Sequence, residues 1–333
     1  MSYLDRIIYV DEKGNRSVHL DYSILSTFST CKEKARLAYV LHLAPKVEER
    51  PLSYGSAIHA GLSALDTTGD VEKAVEAFIA KLQEVGSALP VEIENAAKER
   101  RSIERGSYVI RAYAERWSSD PYEQAYSADG KPLAEIGFSI FLREFQGIPI
   151  MLSGKIDDIK KSKVDGQLYN WERKTSTGSV YSVLANTRPN HQITTYDFAV
   201  KTLLGLKLSG TALDAIYISD RLPAPKKGGW FTYGIDIEKD FGREFTVRSE
   251  TDIEEFLFDL DLQVTEFLQW ASGDLRRWTR NAPTACSMYG GCKFKAGGGR
   301  TGLCNTNLNQ NVIETEYEVK PWHPWALEGK KET

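Results

Sequence analysis

Two stretches decide the fold: IPIMLSGKID from Ile148 to Asp157, and QLYNWERK from Gln167 to Lys174. Both are short stretches rich in apolar, β-branched and aromatic residues, and they indicate two strands, 148–159 and 167–174. The sequence VDG at 164–166 lies between them and is typical of a hairpin turn. We therefore predict two paired strands, the first ending near Asp157 and the second ending near Lys174.

The charged side chains of these strands form a candidate catalytic group. Side chains two residues apart on a strand project to the same side, so Glu172 and Lys174 point together and Asp157 can reach them across the hairpin. Two carboxylates suit a hard Mg²⁺ or Mn²⁺ ion that keeps positions open for water and phosphate. The lysine suits the positioning or deprotonation of the attacking water. The pattern predicts phosphodiester hydrolysis, although a surface hairpin with an ordinary ion pair has the same short motif.

The elements predicted around these two strands give the fold class. Residues 1–20 predict a short hairpin with its turn near Asp11. The remaining predicted helices are 22–43 with Ser23 as N-cap, 53–65, 71–85, 91–117, 190–204 and 252–271, and the remaining strands are 135–142, 212–219 and 230–237. This order predicts an α/β or mixed α+β architecture, with a central mixed sheet flanked by helices.

Composition narrows the class of protein further. The 333 residues carry a formal net charge of −4, unlike the strongly basic proteins that coat DNA generally. Mean hydropathy is −0.38, and no apolar run is long enough to span a bilayer. The first residues lack the basic-then-apolar layout of a secretory signal. We expect a cytoplasmic protein that does not bind membranes.

Four cysteines indicate a second inorganic site. Cys31 lies near the start of the chain, and Cys286, Cys292 and Cys304 lie near its end. In a reducing compartment, clustered cysteines indicate metal binding more often than disulfides. Four thiolates suit a [4Fe–4S] cluster and equally a tetrahedral structural Zn²⁺. The glycines at 297–299 would let the backbone loop around a bulky inorganic core.

Five elements occur in a fixed order, and together they resemble a known family. They are GSAIH at 55–59, GKID at 154–157, ERK at 172–174, QITTY at 192–196 and the cysteines. This order resembles the PD-(D/E)XK nuclease superfamily and, within it, the RecB-like branch with an iron–sulfur cluster, which includes AddB-type, CRISPR-associated and phage RecB-like exonucleases. The similarity covers about residues 22–304 apart from a helical insertion. Ile156 replaces the proline of the superfamily's name, and Glu172 stands where many relatives have Asp.

The resemblance implies roles for further residues. It makes His59 an additional ligand of the Mg²⁺ or Mn²⁺ ion. Gln192 and Tyr196, one helical turn apart and therefore on one face, would line the active site and contact the DNA strand. Glu135, at the start of the preceding strand, is a further candidate metal ligand.

The resemblance also implies a restriction-endonuclease-like fold with four regions. These are an N-terminal hairpin at 1–21, a nuclease domain at 22–275 with a helical insertion at about 70–130, a cysteine segment at 276–312 that closes onto Cys31, and a C-terminal tail at 313–333. The spacing Cys-x5-Cys-x11-Cys in the cysteine segment is wider than the Cys-x2-Cys-x5-Cys of these relatives.

Two groups of basic residues are candidates for contacts with DNA phosphates. One is Lys98, Arg100, Arg101, Arg105, Arg111 and Arg116; the other is Arg276, Arg277, Arg280, Lys293, Lys295 and Arg300. Solvated surface is the alternative for each group. Trp278, Tyr289 and Phe294 are candidates for base stacking, with a place in the core as the alternative.

The predicted function is therefore that of a divalent-metal-dependent DNA nuclease. We expect an exonuclease that prefers single-stranded DNA or ends, acting in recombination, repair or DNA processing in a bacterial, archaeal or phage-infected cell. The chain has no Gly-x4-Gly-Lys-(Ser/Thr) phosphate loop, so unwinding would need a helicase or recombination partner. The alternatives are a non-catalytic DNA-binding scaffold subunit with a structural metal site, and an enzyme that acts on RNA.

Overall fold

The structure is a computed structural model. It describes residues 3–46, 50–84, 101–218, 234–273, 278–281, 284–287, 291–296, 301–304, 308–323 and 325, with the backbone alone for 50–53. No helix among these residues is both long and apolar enough to cross a membrane.

The described helices are α1 Tyr3–Arg6, α2 Tyr22–Thr30, α3 Lys32–Ala35, α4 Arg50–Thr68, α5 Val71–Glu84, α6 Ile103–Arg116, α7 Val180–Leu184, α8 His191–Ala199, α9 Glu250–Ser272, α10 Thr284–Ser287 and α11 Gln310–Glu316. Two π-helical turns, Arg36–Val40 and Val200–Leu204, continue α3 and α8. The described strands are β1 Ile8–Val10, β2 Arg16–Leu20, β3 Leu43–Pro45, β4 Tyr122–Gln124, β5 Ala134–Phe145, β6 Ile148–Ser162, β7 Leu168–Ser176, β8 Leu208–Tyr217, β9 Phe241–Thr246 and β10 Tyr317–Val319.

The chain divides into two compact units, and the first contains residues 1–47, 137–155 and 249–333. Here β1 and β2 form an antiparallel hairpin, and β2 runs parallel to the beginning of β6, with Val18 opposite Ile150. Strands β3 and β10 form a separate antiparallel pair. In the core of this unit the rings of Phe28, Phe267 and Trp278 pack edge to face.

The second unit contains residues 48–136 and 156–248, including the end of β6. Its strands lie in the order β4-β6-β7-β8-β9. Strands β7 and β8 are parallel, whereas the other pairs are antiparallel. Because a parallel neighbour needs a crossover connection, the chain between β7 and β8 carries α7 and α8.

Helices α4, α5 and α6 share one hydrophobic core with β8 and β9 of the second unit. The apolar positions Val75 and Phe78 of α5 lie at helical spacing and are buried. They belong to a cluster that also contains Ile110 from α6, and Ile216 and Phe241 from the two strands. The helices within 70–130 therefore pack onto the sheet of the second unit.

The predicted fold class is confirmed: the protein is mixed α/β, with a central mixed sheet flanked by helices. Several local predictions were wrong. The N-cap of α2 is Asp21, whose carboxylate accepts from Ile24 N at 2.7 Å, and not Ser23. The predicted helix 22–43 is interrupted at Cys31, which has extended backbone. Residues 234–237 of the predicted strand 230–237 are not in a strand, and the strand in this region is β9.

Candidate functional site

The predicted catalytic residues Asp157 and Glu172 lie where two strands stop pairing. The antiparallel pairing of β6 with β7 ends at Asp158 opposite Trp171. Asp157, which precedes Asp158, and Glu172, which follows Trp171, are therefore the first residues outside this pairing at this end of the hairpin. There the backbone N–H of Arg173 donates to Asp157 Oδ2 at 3.3 Å. The Asp157 side chain thus lies against the strand segment that carries Glu172 and Lys174.

Glu172 is buried, and Lys174 forms an ion pair with its Oε1 atom. Burial raises the pKa of Glu172, and the neighbouring Asp157 carboxylate raises it further, while Lys174 acts in the opposite direction. The second oxygen, Glu172 Oε2, is buried and has no hydrogen-bond partner among the described residues. An unpartnered carboxylate oxygen is costly, and a bound cation would offset that cost.

His59 reaches the same place from helix α4. Its Nδ1 atom is 3.7 Å from Asp157 Oδ2. One turn earlier, Gly55 faces β7 so closely that a Cβ atom there would lie 2.9 Å from Thr175 Oγ1. The Gly-x-x-x-His pattern therefore has a physical reason: the glycine admits the helix to the strand, and the histidine one turn later meets the carboxylate.

Helix α8 carries Gln192 and Tyr196, which contact each other. Gln192 Nε2 donates to Tyr196 Oη at 3.1 Å. The next residue, Asp197, accepts a hydrogen bond from Thr211 Oγ1 on β8 and lies within 3.4 Å of Asn170 Nδ2 on β7. Burial raises the pKa of Asp197 to about 6. This contact with the sheet fixes the helix that presents Gln192, and nothing in the QITTY pattern predicts it.

A buried ionic group surrounds Arg173 on the strand that carries Glu172 and Lys174. Arg173, between Glu172 and Lys174, pairs with Asp66 of α4 and lies 3.6 Å from Asp158 Oδ2 and 4.0 Å from Asp214 Oδ2. Strand alternation predicts that Arg173 and Asp158 turn away from the catalytic carboxylates. It does not predict that Arg173 is buried, because a residue next to a catalytic pair is usually solvated.

Glu135 occupies the second position of β5 with a left-handed backbone, φ 52°. Such a conformation is uncommon outside glycine. Among the residues that the structure describes, no group of three or more His, Cys, Asp or Glu side chains is close enough to hold a metal ion. Ligation by Glu135, like that by His59, Asp157 and Glu172, stays a prediction.

The four cysteines lie in the first unit, and none of them forms a disulfide. Cys31 is buried at the junction of α2 and α3. Cys292 N donates to Cys286 O at 3.1 Å, and Cys304 N donates to Phe294 O at 2.9 Å, so backbone contacts join the C-terminal cysteine segments.

The thiols are close enough to influence one another. Burial raises the pKa of the Cys292 thiol, and Cys31 and Cys286 raise it further. Burial also raises the pKa of Cys304, with contributions from Cys292 and Cys31 in the same direction. Each of the four cysteines therefore takes part in these electrostatic interactions between thiols. Among the described residues, however, no three of them are close enough together to hold one metal ion.

The predicted DNA-contacting residues have mixed surroundings. Arg280 and Lys295 are exposed, and Lys293 lies over the Phe294 ring at 5.2 Å. Trp278 and Phe294 are buried, which favours the core alternative over base stacking. Lys98, Arg100, Arg276, Arg277, Tyr289 and Arg300 lie outside the described residues.

The other described arginines of the first basic group have partners within the protein. Arg111 pairs with Glu72, and Arg116 Nη1 is 3.4 Å from Glu238 Oε2. Arg105 is buried. Their contacts therefore favour a structural role for this part of α6.

Comparison with known proteins identifies the class. A profile of the PD-(D/E)XK nuclease superfamily matches residues 19–297, and the chain belongs to that superfamily. Its members are nucleic-acid hydrolases. A solved structure from Eubacterium rectale, that of a proposed exonuclease, is similar at 11% identity and a TM-score of 0.44, covering 80% of this chain and 86% of that one. No curated protein matches the chain.

Proposed function

We propose that the protein is a Mg²⁺- or Mn²⁺-dependent deoxyribonuclease, with an exonuclease preference for single-stranded DNA or ends. The observation that carries the proposal is a set of contacts at the end of the β6–β7 pairing: His59 lies 3.7 Å from Asp157, and Asp157 accepts from Arg173 N, the residue between Glu172 and its ion-pair partner Lys174. Membership of the nuclease superfamily supports it. A scaffold subunit without catalysis would have no need for all four side chains together.

The donor set fits a hard divalent cation. It combines an imidazole and two carboxylates, and the buried Glu172 Oε2 lacks a hydrogen-bond partner in the part of the chain that the structure describes. We propose His59, Asp157 and Glu172 as the ligands, with Glu135 as a further candidate. When bound, the ion would orient the scissile phosphate and lower the pKa of the attacking water.

Lys174 and helix α8 complete the proposed mechanism. The side chain of Lys174 is 39% exposed, so its ammonium can reach a water or phosphate while Glu172 holds its position. Its charge would stabilise the negative charge that develops on the phosphate. Gln192 and Tyr196 would hold the DNA strand beside this group.

The test is cleavage of end-labelled single-stranded DNA in the presence of Mn²⁺. We expect Lys174→Ala and Glu172→Gln to lower the rate by about 100-fold or more, since each removes charge from the reacting group. Lys161→Ala is the matched control, because Lys161 is an exposed lysine on neighbouring β6. Equal rates for Lys174→Ala and Lys161→Ala would refute the assignment.

Substrate form and chemistry can be tested with the same wild-type protein. An exonuclease degrades linear strands and spares covalently closed circles of the same sequence, whereas an endonuclease cuts both. Parallel RNA strands test the alternative of an RNA-directed enzyme. Binding of DNA by both wild type and Lys174→Ala, with cleavage by neither, would favour the scaffold alternative.

For the cysteines we propose a [4Fe–4S] cluster, held by Cys31, Cys286, Cys292 and Cys304, as a structural clamp. Cys292 and Cys304 pack against the hydrophobic cluster that contains Leu37 and Ala38, which follow Cys31 by six and seven residues, and this supports the proposal. The alternative is structural Zn²⁺. Anaerobically purified protein should show broad absorption in the blue region, with iron and sulfide in equal amounts. A colourless sample that contains zinc would refute the cluster.

We further propose that a helicase or recombination partner supplies unwound DNA. Exposed Arg280 and Lys295 in the first unit, together with Lys293, are candidates for contacts with the strand, as are Arg276 and Arg277. A cytoplasmic location fits these substrates.

A further inference from the structure

Helix α4 contacts the catalytic strands at more than His59. Asp66 follows His59 by seven residues, which is two helical turns, so the two side chains share one face of the helix. Gly55, one turn before His59, lies on that face as well. Three positions of α4 therefore meet the strands: a close approach at Gly55, a contact with Asp157 at His59, and an ionic contact at Asp66.

Asp66 binds two cations from two different strands. Lys160 Nζ of β6 is 2.6 Å from Asp66 Oδ1, and Arg173 of β7 pairs with Asp66 Oδ2. The side chains of both cations are only 3% exposed. Cations buried to this extent need a carboxylate partner, so the two pairs hold α4 firmly at this point.

Both partners are adjacent to proposed catalytic residues. Arg173 stands between Glu172 and Lys174, and its backbone N–H donates to Asp157 Oδ2. Lys160 follows Asp157 by three residues on the same strand. The Asp66 carboxylate is thus connected to the two strands that carry the proposed ligands Asp157 and Glu172, while its own helix carries the proposed ligand His59.

We propose that Asp66 is a positioning residue of the nuclease site: its ion pairs with Lys160 and Arg173 set the rotation and height of α4, and thereby place His59 against Asp157. Of the described carboxylates around Arg173, Asp158 and Asp214 belong to strands, and Asp66 is the one that belongs to the helix. This proposal rests on the proposed metal-dependent function, because His59 needs a fixed position against Asp157 only if the two residues bind one metal ion.

A second buried ion pair offers a matched control. Asp120 Oδ2 lies 2.8 Å from Arg243 Nη1, and its side chain is 14% exposed against 12% for Asp66. Asp120→Asn therefore makes the same chemical change at a similar burial, but the ion pair that it breaks is with Arg243 of β9 and not with Lys160 or Arg173. Its comparison with Asp66→Asn separates positioning of His59 from general loss of buried ion pairs.

The experiment measures Mn²⁺ binding by calorimetry and the imidazole resonances of His59 by NMR on histidine-labelled protein, assigned with His59→Gln. We expect Asp66→Asn to weaken Mn²⁺ binding about tenfold, the scale seen when a partner of a metal ligand is removed, and to shift the His59 resonances without metal. Asp66→Glu, which keeps the charge, should fall between wild type and Asp66→Asn. Asp120→Asn should bind Mn²⁺ like wild type.

Unchanged Mn²⁺ affinity and unchanged His59 resonances in Asp66→Asn would overturn the proposal, as would an equal loss in Asp120→Asn. If Asp66→Asn does not fold, the His59 resonances of Asp66→Glu serve as the test. Resonances identical to those of wild type would overturn the positioning role of Asp66. Failure of the wild type to bind Mn²⁺ would count against the proposed function instead, and the metal-free His59 resonances would still test the placement.

Discussion

Asp21 carries a buried carboxylate in the first unit. It caps α2 through Ile24 N and accepts a hydrogen bond from Trp322 Nε1 at 2.6 Å. Burial nevertheless raises its pKa to about 6 from the ordinary 3.8. The hydrogen bonds favour the charged form, so the direction of the pKa shift shows that desolvation outweighs them.

This shift predicts a pH-dependent stability difference between Asp21→Asn and wild type. A raised carboxyl pKa means that the folded protein holds the proton more tightly than the unfolded chain does. Its contribution to stability is therefore present below about pH 4 and is lost as the pH rises to about 6. Asparagine keeps an acceptor for the cap but has no charge to desolvate.

Urea unfolding of both proteins between pH 4 and pH 7 measures the effect. Relative to wild type, Asp21→Asn should gain stability from pH 4 to pH 6 and then level off, with a limit of about 3 kcal/mol for a shift of about two units. A difference that stays constant over this range would contradict the assignment of the shift to burial of Asp21.

Gly55 gives a second prediction at the scale of one residue. Gly→Ala inside a helix normally stabilises by about 1 kcal/mol, but here the new Cβ would lie 2.9 Å from Thr175 Oγ1. We expect the clash to win, so that Gly55→Ala lowers the unfolding free energy by about 1 kcal/mol and also lowers DNA cleavage. In a Thr175→Ala background the same change should stabilise. Thermal or urea unfolding of the four proteins of this double-mutant cycle checks the reversal of sign.

The direction of a side chain was predictable from sequence where a short pattern allows only one geometry. The spacing of Glu172 and Lys174 on a strand fixes their common direction, and the structure has them in contact. The roles of Asp66 and Asp197 could not be predicted, because both act through partners that are distant in sequence, such as Arg173 and Thr211. Only the folded chain brings those charges together.

At the scale of elements, helices α5 and α6 pack closely against each other at Gly106 and Phe78. A Cβ atom at Gly106 of α6 would lie 2.1 Å from Phe78 Cζ of α5. The phenyl ring therefore occupies the space that a side chain would need. Since an aromatic ring in a filled core cannot move aside cheaply, the glycine sets the distance between the two helices.

We expect Gly106→Ala to destabilise the protein by about 1–3 kcal/mol, the usual cost of overpacking, which exceeds the gain in helix propensity. Phe78→Leu removes the atoms that clash, so Gly106→Ala should cost less in that background. Urea unfolding curves for the four combinations give the coupling between the two sites. Equal costs in both backgrounds would show that the ring does not fix the helix separation.

Whether a segment is a helix or a strand was predictable where the apolar residues follow a regular pattern over many residues, as in α5, α9 and the paired strands β6 and β7. Shorter elements could not be predicted in this way. Strand β4 has three residues, too few for a period to be visible, and its pairing with β6 depends on tertiary contacts. Strand β9 was misplaced because its sequence FGREFT has exposed polar positions and a glycine, which weaken the alternation.

At the scale of the whole molecule, the two units carry different chemistry. The proposed catalytic group lies within the second unit, whereas the cysteines lie within the first. The first unit is built from three separate segments of the chain, namely its two ends and residues 137–155. A link between Cys31 and the C-terminal cysteines closes a very long loop, which removes much unfolded-chain entropy.

This division predicts that removal of the proposed inorganic group loosens the first unit selectively. The sulfur ligands exist together only in the folded chain, so the free energy of binding is also free energy of folding for that unit. After anaerobic chelation, amide hydrogen exchange should accelerate in α2, α3 and residues 291–296 and 301–304. Exchange in β7 and β8 of the second unit should stay close to that of untreated protein, because these two strands pair with each other along their length. Cys304→Ser should reproduce the pattern without chelator. Uniform acceleration across both units, or none in the first, would contradict a structural clamp at the cysteines.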